Sequence, residues 1–314
     1  MRLEPVRRTV SWFRGRAHAS VYPFENFSRQ LSEKITRLAI WSYLSRHETV
    51  SVGIAFALIL SIVYPSVVFG GKTLIPPSYY PHGLTEKQEA RDREAINSFN
   101  IDLATPAYYE FPINRVIGEM YRQGQIPLWN PYQAAGTPLA AQYSTRAFFP
   151  YQILENLSPY WTWDYFLLGR LWIAGFFTFL LLRALALRLS SAFLGGIFFM
   201  LSGTLVWYIN LEQMANVAMV IPILLLCLER MLATSRRLYF ALSVVSFGLV
   251  LLAGQPEVAA YVLLLAGLYV PWRTWSLRKS TWDRLGGISQ GFFAFVLGLG
   301  LSAPLIVPFL EFVT

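Results

Sequence analysis

The sequence predicts an all-α, polytopic membrane protein with about seven transmembrane helices and a long external first loop that contains amphipathic surface helices. Three observations predict it. The 314-residue chain is 55% hydrophobic and only 14% charged, with a mean hydropathy of +0.43, which is too apolar for an ordinary soluble domain. Apolar runs near the length needed to cross a bilayer, roughly 20 residues, recur along the chain. The connections between them alternate between basic and cation-free.

Residues 1–51 form a basic segment in which Arg and Lys outnumber Glu, the pattern of a cytoplasmic flank. Within it, Leu31, Ile35, Leu38 and Trp41 recur at helical spacing among Arg29, Lys34 and Arg37. That fits an amphipathic helix at the membrane surface, or equally a helix packed on the rest of the protein. The first long apolar run starts only near Val52, too late for a cleavable signal peptide. Residues 52–69 form the first transmembrane candidate and deliver the chain to a polar interval, 70–164. Further apolar spans follow at about 165–182, 190–209, 214–232, 238–254, 257–272 and 287–310, so that 165–314 is a bundle of about six helices.

Arg183 and Arg188 mark one connection, Arg230, Arg236 and Arg237 another, and Arg273, Arg278, Lys279 and Arg284 a third. The intervening turns, around Asn210–Gln213 and Gly254–Glu257, carry no cation. With the N-terminus inside, every basic turn is cytoplasmic and the 70–164 interval lies outside. The net charge of +8 thus reflects topology and anionic headgroups, not nucleic acid, and the lipid bilayer is the first expected partner. The single cysteine, Cys227, lies in an apolar run and is read as a small packing residue.

A polar interval this long is expected to contain structure of its own. Ile113, Val116, Ile117 and Met120 at i, i+3, i+4 and i+7 predict an amphipathic helix from about Tyr108 to Gln123, stopped by Gly124. A second short helix after Ser144 is expected to pack Phe148, Ile153 and Leu154. Asp102, just ahead of the first helix, can act as a general base, hold a metal or cap the helix, and local sequence alone favours capping or solvation. Trp129 and Asn130 suit either a membrane interface or a sugar pocket. Arg170 falls inside a span, where it either binds a lipid-linked phosphate or snorkels to the headgroups. Glu212 and Glu257 sit at cation-free turns, where exposure is the simplest reading. His18, His47 and His82 have no ligand spacing, so a zinc site is not expected. P-loop, dinucleotide-binding and serine-hydrolase motifs are absent from the sequence.

The run RQGQIPLWNPYQAAGTPLAAQYSTRAFFPYQIL resembles the signature of bacterial YfhO-type integral membrane proteins: G-x-(I/L)-P-L-W-N-P, then G-x-P-L, then an aromatic-Pro. The likeness continues at Leu201–Gly203 and in AGQPEVAAY and PLIVPFLEF, and covers most of residues 95–314. Gln255 and Glu257 depart from it, standing where His and Gln are common. Members are usually longer, so the chain is expected to be an N-terminal portion or a short variant.

That family is similar to the C-type glycosyltransferases, multi-span enzymes that use polyprenyl-phosphate sugars and carry an acidic catalytic residue in the first external loop. The resemblance implies that Asp102 is catalytic, a general base. On that reading Arg170, or Arg115, Arg122 or Arg146 of the loop, balances the phosphate, and Trp129, Asn130, Gln142 and Glu212 complete the expected substrate-binding set. The expected activity is transfer of a sugar from a polyprenyl-phosphate donor to a cell-envelope acceptor at the outer face of the bacterial plasma membrane. A transporter of lipid-linked precursors or an assembly scaffold is the alternative. Cofactor use is left open, a divalent cation being the one candidate.

Overall fold

The computed structural model describes residues 47–74, 105–278 and 280–313. The basic helix read around Leu31–Trp41 and Asp102 lie outside the described residues. The chain divides into two compact units, Met1–Ala55 and Phe56–Thr314. The described part of the first unit is the start of helix α1 (Glu48–Val63); the rest of the fold belongs to the second.

The described residues are predominantly helical with almost no sheet, as the apolar runs require: a backbone in hydrocarbon has to satisfy its N–H and C=O groups within the segment. The expected first span, 52–69, is interrupted. Its helix ends before Pro65, which lacks an N–H to continue the ladder and instead opens the short helix α2 (Pro65–Val68). Next come α3 (Phe111–Arg122), entered through a wide turn at Pro106–Glu110, and a two-residue antiparallel pairing of β1 (Trp129–Asn130) with β2 (Thr137–Pro138). Helix α4 (Pro150–Leu157) closes this polar region.

The bundle comprises α5 (Trp163–Ala184), α6 (Leu189–Met200), α7 (Gly203–Trp207), α8 (Glu212–Thr234), α9 (Arg237–Leu252), α10 (Pro256–Leu277), α11 (Thr281–Leu301) and α12 (Ala303–Val313). Among the described residues five segments, against the seven spans expected, are long and apolar enough to cross a membrane: Tyr160–Ala184, Leu189–Trp207, Glu212–Thr234, Pro256–Leu277 and Thr281–Leu301. Glu48–Val63, Arg237–Leu252 and Ala303–Val313 are apolar but shorter. The expected last span, 287–310, is therefore two helices. They break at Ser302, where Pro304 cannot donate to the ladder of α11.

Helix α8 is the hub. It packs on α5, α9 and α10, while α5 packs on α6 and α9 on α11. The α5–α6 crossing depends on small residues: a Cβ at Gly196 would stand 2.8 Å from the Gly175 carbonyl oxygen, so only glycine admits this approach. Beside it, Phe56 stacks on Phe193 with ring centroids 5.3 Å apart.

At the other end of the bundle, Arg273 forms a two-pronged 2.6 Å pair with Glu229, to which Tyr269 also donates. Arg278 donates to the carbonyl of Leu232. These contacts tie the C-terminal ends of α8 and α10 together.

The cation-free turns gather around the polar region. Residues 73 and 74 return to the start of α5, where the Leu74 N–H donates to Asp164 at 2.7 Å. Tyr143 donates to the Leu251 carbonyl at the end of α9, and its ring meets Phe309 of α12 edge-on at 5.2 Å. The alternating charge of the connections thus corresponds to a physical sorting. Cation-free turns lie against one polar cap, and the Glu229–Arg273 clamp belongs to the basic ends.

Candidate functional site

The amphipathic helix read from 108 to 123 is present as α3. It buries Ile113 and Ile117 against Leu139 and Ala147 and ends where Gly124 takes a φ of 71°. The second helix is present too, but its buried face is not the expected one. Leu154 is 60% exposed, whereas Gln152, Glu155 and Asn156 are buried. Those three residues, at i, i+3 and i+4, form a polar stripe turned inward, because partners from α5 and α8 meet it.

The meeting point is a sealed cluster of three glutamates and two arginines. Arg146, in a left-handed conformation after the tight turn Tyr143–Thr145, reaches Glu110 at 2.5 Å and Glu212 at 3.2 Å. It also donates to Asn114 at 3.0 Å and to Gln213 at 3.1 Å. Arg170 of α5 contacts Glu155 at 2.5 Å and Glu212 at 3.8 Å. It donates to Asn216 at 2.7 Å and Gln152 at 3.0 Å, and its guanidinium lies 5.1 Å from the centre of the Tyr151 ring. Glu212 is the keystone, accepting from Trp163 at 2.6 Å and from Asn114 at 2.9 and 3.1 Å.

Arg146, Arg170, Glu110 and Glu212 have no exposed surface. Two expectations are corrected here. Arg170 does not snorkel, because Glu155, Gln152 and Asn216 satisfy it inside the protein. Glu212 is not exposed at its turn, because it opens α8 directly against both guanidiniums. The AGQPE turn belongs to the same construction: Gly254 has a φ of 105°, and a Cβ there would come within 2.2 Å of Arg146 Cγ.

Three carboxylates against two guanidiniums leave one negative charge if every group is ionised, and burying it is costly. Burial pushes Glu155 up to about 8 and Glu110 to about 7, outweighing the pull of the neighbouring arginines. From the ordinary value of 4.5, the folded state keeps a proton on Glu155 that the unfolded chain releases. Stability therefore falls as pH rises from about 4.5 to about 8, and Glu110 acts in the same direction over a narrower window. In detergent, the melting temperature is expected to be several degrees lower at pH 8.5 than at pH 6, with Glu155→Gln flattening the slope. A melting temperature that rises with pH over this range contradicts the assignment.

A cavity of about 160 Å³ lies beside the cluster. Its lining includes Asn114 and Glu155, and its aromatic walls are Phe111, Tyr160 and Trp163. Arg115 and Arg122 also line it, both exposed and two turns apart on α3. Arg122 donates to the last carbonyls of α4, at Asn156 and Leu157, and lies 3.6 Å from Glu119. Arg115 has no hydrogen-bond or ion-pair partner among the described residues.

The sequence-derived residues thus fall into three groups. Arg146, Arg170 and Glu212 are joined in the cluster, and Arg115 and Arg122 line the cavity. Trp129, Asn130 and Gln142 line neither. Trp129 lies across Gly136, and Asn130 is buried and accepts from the Tyr132 N–H, holding the turn. Gln142 accepts from the Tyr109 hydroxyl at 3.3 Å. Sequence reasoning missed Glu110, Asn114, Gln152, Glu155, Gln213 and Asn216.

Among the described residues no group of His, Cys, Asp and Glu fits a metal ion, since the clustered carboxylates are matched to arginines. The chain matches no family model, no curated protein and no solved structure.

Proposed function

We propose that this protein is a membrane glycosyltransferase of the YfhO type, resembling the C-type enzymes, that moves a sugar from a polyprenyl-phosphate donor to an acceptor of the bacterial cell envelope. In this reading the chain crosses the plasma membrane about seven times with its N-terminus in the cytoplasm. The polar cap, residues 70–164, faces outward. The charge of the connections supports that orientation.

The observation that carries the proposal is the cavity rimmed by Arg115 and Arg122. A pair of accessible guanidiniums suits a phosphate, which arginine binds through two parallel hydrogen bonds. Phe111, Tyr160 and Trp163 offer apolar faces against which a sugar ring can pack. Trp163, the first residue of α5, lines the cavity, and in this reading a donor with its tail in lipid enters from the interface.

In the reaction, the acceptor hydroxyl oxygen bonds to the anomeric carbon as the carbon–oxygen bond to the phosphate breaks, with inversion. Asp102 takes the hydroxyl proton. The arginines of the rim balance the charge on the departing lipid phosphate. The buried cluster holds α3, α4, α5 and α8 in register around the cavity and does not itself contact the donor.

Purified protein in nanodiscs, supplied with a polyprenyl-phosphate hexose, is expected to hydrolyse or transfer the sugar, and Asp102→Asn is expected to abolish that turnover without altering expression or membrane insertion. Movement of intact lipid without turnover would favour the transporter, and neither activity the scaffold.

A further inference from the structure

A second cavity, of about 330 Å³, lies in the bundle among α9, α10 and α11, and none of the residues that line it has a polar side chain. Small residues leave the space. Ala266 and Gly267 of α10 and Gly291 of α11 line it, and Phe247, Phe292 and Phe295 bound it. A Cβ at Gly267 would meet no atom within 4 Å, and Gly267 and Phe292 are both exposed, so the gap is open on the outer surface of the bundle. In a chain that crosses a membrane that surface faces hydrocarbon. The volume falls within the range of small-molecule sites, about 300–1,000 Å³.

What lies above the gap defines a ligand. At 1.5 Å per residue, the gap runs about 10–20 Å along the helix axes from the basic ends, Leu277 of α10 and Thr281 of α11. That is the depth of one leaflet of a hydrocarbon core about 30 Å thick. The ends themselves have the composition of a membrane–water interface, with Trp272, Trp275 and Trp282 all exposed. Once Arg273 and Glu229 have paired with each other, Arg230, Arg236, Arg237, Arg278 and Arg284 stand there against Asp283. Arg284 is the one held in place for a ligand. Its Nε donates to the Arg278 carbonyl at 2.8 Å, and its guanidinium lies 4.2 Å from the centre of the Trp275 ring. Its two terminal nitrogens have no hydrogen-bond partner among the described residues, which leaves them to donate to a phosphate.

We propose that α9, α10 and α11 hold an anionic phospholipid, with one acyl chain in the apolar gap and its phosphate on Arg284. Charge selects the occupant. A neutral lipid fills the gap equally well but gains nothing from the arginines. A second copy of the chain in parallel would bring its own basic ends against these. The bound lipid covers Gly267 and links the arginines at the helix ends to the middle of the bundle. The site lies at the opposite end of the bundle from the polar cap and does not depend on the transfer reading.

The test is native mass spectrometry of the full chain in detergent, titrated with phosphatidylglycerol or with phosphatidylcholine of the same acyl chains. A saturable one-to-one adduct is expected, with the anionic lipid bound about fivefold more tightly, the effect of one basic residue near a charged headgroup. Arg284→Ala should abolish that preference and leave phosphatidylcholine binding unchanged. Gly267→Leu puts a side chain into open space at a helical position, so the fold accepts it. It should weaken both lipids about tenfold by excluding roughly two methylenes from the gap. Melting temperatures in lipid-free detergent equal to that of the unsubstituted chain verify that both variants are folded. Equal affinity for the two lipids, or full affinity for phosphatidylglycerol in either variant, overturns the proposal. So does equal competition by soluble glycerol 3-phosphate, which makes the arginines a simple anion site. Tighter binding of a polyprenyl phosphate than of phosphatidylglycerol overturns it too, assigning the gap to an isoprenoid tail. A dimer that Gly267→Leu dissociates does the same, assigning this face to a second copy.

Discussion

Arg170→Met is expected to cost more stability than any surface change in this protein. The guanidinium it removes is fully buried and answers Glu155, Glu212, Gln152 and Asn216 together. Deleting one partner of a buried ion pair leaves an uncompensated charge, typically worth about 3–5 kcal/mol. Heating followed by size-exclusion chromatography should show a large drop in melting temperature and loss of the monodisperse peak. Arg170→Met combined with Glu212→Gln should recover part of that loss, because the second change removes the carboxylate that Arg170 had balanced, Glu155 already holding a proton below about pH 8. An unchanged melting temperature for the single variant would mean the cluster does not hold the cap to the bundle.

Arg115→Ala is expected to have the opposite profile, a large loss of turnover with little loss of stability. Arg115 is exposed and without a partner among the described residues, so removing it strands nothing and the fold should shift by no more than about 0.5 kcal/mol. Removing a group that stabilises developing charge costs on the order of 100-fold in rate. The double variant Arg115→Ala/Arg122→Ala should lose nearly all donor turnover, with some added instability because Arg122 also holds the end of α4. Turnover of the Arg115→Ala protein equal to that of the unsubstituted chain would remove the rim arginines from phosphate binding.

Much of the architecture is legible in the sequence because the solvent enforces it. Apolar runs of the right length have few alternatives to helix in lipid, and among the described residues five of the seven expected spans coincide with segments long and apolar enough to cross a membrane. Expected spans are interrupted at Pro65, at Leu201–Ser202 and around Ser302 and Pro304, where hydropathy alone treats the ladder as continuous; at Pro65 and Pro304 a missing N–H breaks it. Helix α3 was readable from Ile113, Val116, Ile117 and Met120, since an apolar stripe has one plausible destination.

Helix α4 was misread by the same logic. Gln152, Glu155 and Asn156 have the same spacing, yet a polar stripe turns inward only if it has partners elsewhere, and those partners are remote. Asn114 and Glu212, for example, are 98 residues apart. Local pattern therefore finds the amphipathic helices and the arginine in the span, but not the glutamates that pair with it. A signal was present in Glu212 and Asn216 at i, i+4, at the head of an apolar helix. It becomes interpretable only beside the matching stripe on α4.

The central claim, that the cavity between α3, α4 and α5 takes the lipid-linked sugar, is tested most directly by crosslinking. A photoreactive polyprenyl-phosphate hexose is incubated with the purified chain in nanodiscs, irradiated, and its adducts are mapped by mass spectrometry. The sugar and phosphate are expected to label α3 around Arg115 and the segment 158–163, with labelling suppressed by unlabelled donor. Adducts confined to the apolar gap lined by Phe247, Val270 and Phe292, or labelling that unlabelled donor does not suppress, would contradict it.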